Sequence, residues 1–331
     1  MLGAHFESEI CQQPEVWRRL AGSKHAREFA NAVSERDVVL IGSGSSLFVA
    51  MLAALALRRR GVRASALAAT EAAFERGPYR GQTVVALSQS GRSADVLRAI
   101  ELLEPARLVA LTNDARAPLA ARADVIIDVE AGVEHAVPAT KSVTAMVAVV
   151  LWGAALVSGT SERSAATLER TAAGVETWLA SAERVRVTRA AERIARRRSV
   201  AVVGAGYGVP VALELALKLK EASYVHAEGF AAGEFRHGSA AILDATTTLI
   251  GVVDDASRDI VRRPLDEAER TESLRFTIGG EVAGVARLGA VTGEAFNTLA
   301  WLVAGQVLAL EVGRARGIDG DAPRGLSKFV S

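Results

Sequence analysis

One local pattern is written twice in this chain, and it restricts the fold more than anything else in the sequence. An apolar run from Asp37, DVVLI, meets the glycine-rich turn GSGSS and then the alanine- and leucine-rich stretch LFVAMLAALALRRR. The same order returns at Ser199 as SVAVV, the turn GAGYG and a helical stretch that Pro210 can start. A short β-branched run bounded by glycines predicts a buried strand, and a long stretch of good helix formers predicts a helix. Further strand-like runs fall at 83–87, 107–111 and 125–129 in the first half and at 246–253 and 274–278 in the second. Ser93 is placed to cap a helix that ends near Leu103, and Thr140 to open a long apolar one. Strands alternating with helices predict parallel sheets covered on both faces, so the fold class is α/β, with two tandem domains that are each a three-layer αβα sandwich. The repeat at a domain-sized period is an internal duplication.

What lies outside the repeat sets the boundaries. Residues 1–36 read as an N-terminal helical extension, 37–160 as the first domain, 161–316 as a connecting helix with the second domain, and 317–331 as a loop-like C-terminal tail. At 331 residues, each domain is large enough to bury its own core. Lysines and arginines number 39 against 38 aspartates and glutamates, so no global field points to nucleic acid or an anionic membrane, and an anionic ligand must be held locally. The single cysteine, Cys11, allows no intrachain disulfide and no cysteine-based zinc site, which suits a reducing cytoplasm and predicts no structural metal. The N-terminus is polar rather than a charged-then-apolar leader. The most apolar stretch, 143–157, is shorter than the roughly 18 residues that suggest a membrane span, and reads as a buried helix.

Ionisable groups concentrate in one place, residues 218–237, KLKEASYVHAEGFAAGEFRH. Glu214, Lys218 and Glu221 are spaced i, i+4, i+7 and so share one helix face. Charged helix positions ordinarily face solvent, but a carboxylate and a histidine in one run also make Glu221 and His237 candidates for proton transfer. Two serine-rich turns in the first half have a different chemistry. In SQSGRS, residues 88–93, and in GSGSS, residues 42–46, hydroxyls and backbone N–H groups converge between a strand and a helix N-terminus, a setting that suits phosphate. Gly44 allows close backbone approach, and Ser45 and Ser46 can donate hydrogen bonds. GSGSS lacks the third glycine of the dinucleotide fingerprint, and no lysine-serine or lysine-threonine pair follows the glycines, so neither a nicotinamide cofactor nor ATP is expected. In the second half the later strand ends in VVDDAS, whose paired acids would repel phosphate.

SQSGRSADVL, the run KLKEASYVHAEGFAAGEFRHG and the ending DAPRGLSK together resemble the double sugar-isomerase (SIS) family, as found in the isomerase part of glucosamine-6-phosphate synthase. The resemblance spans nearly the whole chain, with nothing corresponding to the synthase's N-terminal glutaminase domain. It implies that a hexose phosphate sits among Ser46, Ser88, Ser90 and Ser93, with Gln89 alongside, and that Ser43, Gly44, Ser45, Val137 and Ala139 line the sugar. It places the proton-shuttling carboxylate on Glu221, the ring-opening histidine on His237, a further site lysine on Lys218 and a Schiff-base lysine on Lys328. His237 would come from a neighbouring subunit, which implies a homodimer. For Lys328 to attack a carbonyl its amine must lose its proton, for which Arg324 is a candidate cationic neighbour, and the tail would act as a lid. Arg92 stands where the synthase commonly has an acid, Ala139 where it has a serine, and Ser43 where it has a cysteine.

With no ammonia-producing domain in view, the expected activity is conversion of glucosamine 6-phosphate to fructose 6-phosphate and ammonia, without a cofactor. A fructosamine-6-phosphate deglycase is the alternative enzyme. A sugar-phosphate-sensing regulator is the alternative of another class, although residues 1–36 are too few and carry no basic excess for a DNA-binding domain.

Overall fold

The computed structural model describes residues 1–34, 37–160, 162–289 and 295–328. The first half builds β1 (Val38–Gly42), β2 (Ala64–Ala68), β3 (Thr83–Ser88), β4 (Arg107–Thr112) and β5 (Val125–Asp128). All pair in parallel, in the order β2-β1-β3-β4-β5. The second half builds β6 (Ser199–Gly204), β7 (His226–Ala231), β8 (Thr247–Val253), β9 (Leu274–Gly279) and β10 (Ala286–Leu288). Read from the opposite edge, its parallel order is β7-β6-β8-β9-β10, the same order as the first sheet. The duplication expected from the sequence is therefore a duplication of topology.

Central strands are buried along their whole length, which is why they read as unbroken apolar runs. Val84, Val96, Ile100 and Leu108 join one core cluster with β1 residues Val39 and Ile41. Leu249, Val261, Leu265 and Phe235 join its counterpart in the second half. Each such side chain contributes about 1.5–3 kcal/mol by leaving water.

Three strands escape a reading by β-propensity. β2 is ASALA, and alanine is a poor strand former. β10 is only three residues long. β7 lies inside the charged run 218–237, which the sequence presents as helix followed by loop. It is an edge strand with His226 and Glu228 exposed and Ala227 buried between them, and charged residues on an edge discourage pairing with other chains.

The chain divides into two compact units. The one holding β1–β5 comprises Gln12–Glu134 and Lys141–Ala172, with Ser327 and Lys328. The one holding β6–β10 comprises Met1–Cys11, His135–Thr140 and Ala173–Leu326. The helical extension is thus shared out: helix Ala4–Cys11 belongs with the second sheet, helices Gln13–Ala21 and His25–Val33 with the first.

In the first unit the apolar stretch forms helix Lys141–Val157, buried nearly all round. Among the described residues no helix is long and apolar enough to cross a membrane. In the second unit the tail does not hang loose. Gly3 donates its N–H to Asp319 at 2.9 Å, and His5 and Phe6 donate theirs to the Asp321 carboxylate at 3.0 and 2.7 Å. The orphan amides of helix Ala4–Cys11 are thereby capped by acids more than three hundred residues away.

Candidate active site

In both sheets the strand order reverses at one point, between β1 and β3 and between β6 and β8. Ligands of open α/β sheets bind outside the strand ends at such a point. In the first unit both serine-rich turns lie there. After β1 the chain turns through Gly44, at φ +55°, into helix Ser45–Arg58. Gly42 must lack a side chain, because a Cβ would lie 2.7 Å from the Ser46 carbonyl carbon. After β3, Ser88 Oγ accepts the Gly91 N–H at 3.1 Å and Ser90 Oγ accepts that of Arg92 at 3.2 Å. Both hydroxyls keep their own protons to donate. Ser93 holds the N-cap position of helix Ala94–Leu103, but its hydroxyl makes no capping bond, contrary to the role its position suggests. The first-turn N–H groups of that helix therefore have no side-chain cap from Ser93, and an uncapped helix start suits an anion.

Beside the β3 turn is a cavity of about 580 Å³ lined by Gln89, Ser90, Arg92, Asp114, Glu134 and Lys328, among others. Lys328 reaches it from the C-terminal segment, its Nζ 3.4 Å from Glu134 Oε2. Glu134 is fully buried at its side chain and accepts the Ser142 N–H at 3.1 Å and hydroxyl at 2.7 Å. Lys328 therefore has a carboxylate for a neighbour. In the second unit Arg324 lies over the Tyr224 ring at 4.5 Å and donates its backbone N–H to the Tyr224 hydroxyl at 2.7 Å. Glu134 escaped the sequence reading; a lone acid ahead of a long apolar helix was the available signal. Arg92 is likewise balanced, by Asp114 at 2.8 Å on the turn after β4.

The second unit supplies a different set. Helix Gly208–Ser223 starts two residues before Pro210, which sits in the first turn, where its missing N–H has no helical partner to lose. Lys218 lies between Glu214 at 3.6 Å and Glu221 at 2.5 Å, as the i, i+4, i+7 spacing predicts. This face is not solvated: the side chains of Lys218 and Glu214 are 1% and 3% exposed, and that of Glu221 18%. Charges buried to this degree persist only as a paired cluster. Glu221, at its outer end, keeps an edge open to solvent.

His237 follows the short helix Ala232–Phe235 and is exposed, with its backbone N–H bonded to Glu234 and no partner for its ring among the described residues. Val137 and Ala139 belong to the second unit, not to the unit with the serine turns. The Val137 N–H is committed to the Asp321 carbonyl at 2.9 Å. The tail is thus pinned at Asp319, Asp321 and Arg324. Backbone N–H groups, that of Gly3 foremost, hold the Asp319 carboxyl below its ordinary value.

Two parallel sheets of one topology, the first with hydroxyl-rich turns at its switch point and the second with a buried acid–lysine cluster on a following helix, define an α/β protein of duplicated design. The SIS domain pattern matches residues 33–155 and 193–268, and the chain belongs to the SIS domain family. The glutamine–fructose-6-phosphate aminotransferase [isomerizing] of Pyrobaculum aerophilum is 30% identical over 358 residues, covering 99% of this chain and 57% of its own. The chain spans about half the length of the curated relatives it matches. Two solved structures share the fold. The C-terminal domain of glucosamine-fructose-6-phosphate aminotransferase from Francisella tularensis superposes with a TM-score of 0.82 at 23% identity, covering 96% of this chain and 98% of that one. Glucosamine-6-phosphate deaminase from Thermotoga maritima gives 0.77 at 22% identity, covering 99% of each.

Proposed function

We propose that this SIS protein is an aminosugar-phosphate isomerase and deaminase that converts glucosamine 6-phosphate to fructose 6-phosphate and ammonia. The observation that carries the proposal is the Lys218–Glu221 pair, a carboxylate half-sunk in the fold with one oxygen on a buried lysine. A base that must take a proton from one carbon and return it to the next needs this fixed position. The serine turns bind the phosphate. His237 gives a proton to the ring oxygen as the sugar opens to its aldehyde. Glu221 removes the C2 proton, giving an enolamine, and returns it to C1, leaving an imine at C2. Water adds to that imine and ammonia departs, its nitrogen taking the protons that water and the acid supply. Lys328 brings an amine to the cavity shared with Gln89 and Ser90.

The test is to incubate purified protein with glucosamine 6-phosphate and follow ammonia and fructose 6-phosphate. Glu221→Gln is expected to lower kcat by about 10²–10⁴ with little change in KM. A folded protein with no turnover, or full turnover by Glu221→Gln, removes the proposal.

His237 is assigned to a partner's site, which makes the working form a homodimer. Mixed after denaturation and refolding, inactive Glu221→Gln and His237→Ala chains would then regain activity, because one site in each mixed dimer is intact. No recovery would place His237 in its own chain's site.

A second substrate is favoured by the same cavity, which extends past Ser90 to Arg92 and Arg116. Those guanidiniums suit the carboxylate of an amino acid on the sugar, as in a fructosamine 6-phosphate. Side-by-side turnover of the two substrates separates the readings.

A further inference from the structure

We infer that the second unit carries an anion site apart from the strand-end turns, a cleft between helix Arg184–Ile194 and the β9–β10 edge that takes a small molecule bearing phosphate or pyrophosphate. The cleft has a volume of about 350 Å³, within the range of small-ligand sites. Arg186, Arg189 and Arg193 line one wall and Arg287, on β10, the other. Its floor is apolar, with Phe276 and Leu288 at 3% and 2% exposure.

The charge is not compensated from within. Arg287 pairs with Glu281 at 2.9 Å, but no carboxylate among the described residues lies within ion-pair distance of the Arg186, Arg189 or Arg193 guanidinium. Other surface arginines here do find acids: Arg122 has Glu101, Arg275 has Glu269 and Arg236 has Glu267. The three free ones are spaced i, i+3, i+7 and so stack one turn apart on a single face, where like charges weaken a helix. Arg186, in the first turn, also opposes the helix dipole. Glu192, on the same helix, does not line the cleft. Arg193 is steered by the Phe276 ring, 5.8 Å from its guanidinium, which leaves its N–H fork available.

An arrangement that is self-repelling when empty becomes favourable when a dianion enters. Guanidinium forks match phosphoryl oxygens two at a time, and an apolar floor shields those bonds from water. The concave shape and the hydrophobic base suit a compact ligand with a flat or apolar body rather than a polyanion running along an open stripe.

The experiment is calorimetric titration of the full chain with inorganic pyrophosphate, ADP and glucosamine 6-phosphate, repeated on Arg189→Ala/Arg193→Ala and on Ser88→Ala/Ser93→Ala. All four changes should leave the chain folded, which circular dichroism checks; Arg189→Lys/Arg193→Lys is the charge-keeping control. At least one probe should bind and lose about tenfold or more in affinity per guanidinium removed, while the serine changes leave that binding intact. Tightest binding of ADP assigns the site to nucleotides, tightest binding of the sugar phosphate to phosphosugars, and of pyrophosphate to the free anion. The inference is overturned if no probe binds or if the arginine variant binds every probe as well as the unaltered chain.

Discussion

The turn after β1 and the turn after β6 have one backbone and two chemistries. Gly42 and Gly204 both close against the residues four ahead, where a Cβ would lie 2.7 Å from the Ser46 carbonyl carbon in one case and 2.2 Å from the Gly208 oxygen in the other. Gly44 and Gly206 have φ of +55° and +57°. Yet Ser43, Ser45 and Ser46 are replaced by Ala205, Tyr207 and Gly208. The second turn at each switch point differs as well. In the first unit Ser93 leaves the helix start uncapped, whereas in the second Asp254 Oδ1 takes the Ser257 N–H at 2.7 Å and so already occupies the place of an anion. Duplication preserved the backbone geometry, and under the proposed function the composition of the turns sets which copy holds the phosphate. The second copy's ionisable groups lie further along its helix, at Lys218 and Glu221.

This comparison predicts different failures in the two units. The largest is expected from Lys218→Met, which takes the cation from between two carboxylates and should destabilise the protein by about 3–5 kcal/mol in urea denaturation. Unchanged stability would mean that the cluster is not held by charge. Next comes a transplant, Ser43→Ala/Ser45→Tyr/Ser46→Gly, which writes the second turn into the first. Because the backbones agree the chain should fold, with KM for the phosphosugar raised about 10- to 100-fold and kcat less affected. Loss of kcat alone would reverse the division of roles.

The smallest effect concerns acid. Hydrogen bonding to Arg314 leads the causes that hold the Glu7 carboxyl below its usual value, with Arg184 adding to it. A carboxyl whose folded pKa is depressed contributes fully above its unfolded value, about 4.3, and loses that contribution as pH falls through the folded value. Melting temperatures of the protein and of Glu7→Gln should therefore differ at about pH 7 and draw together as pH falls below about 4.3. A gap that persists in acid would make the contact one of packing.

How much of this the sequence disclosed depended on range. β1, β3, β4, β6 and β8 are β-branched and bounded by turns, so their character is written locally, whereas β7 exists because Ala227 and Gly229 register against Val200 and Val202 on β6. The serine turns were legible because strand, turn and helix are contiguous. The i, i+4, i+7 spacing showed that Lys218 shares a face with its acids, but spacing cannot say which face the fold covers. Glu134 was invisible for the same reason, since its partners are 8 and 194 residues away.

The clasp of Asp319 and Asp321 on the first turn of helix Ala4–Cys11 also sets an order of assembly. The segments of the second unit are spread over the chain, and this contact joins residues 316 apart. During synthesis β1–β5 and their helices emerge long before those aspartates do. The first unit can therefore gather its core on the ribosome, while helix Ala4–Cys11 must wait, uncapped, for the last stretch of the second. A truncation or fusion just after residue 316 would accordingly be felt at the other end of the chain, as a nascent helix with no acceptor for its amides.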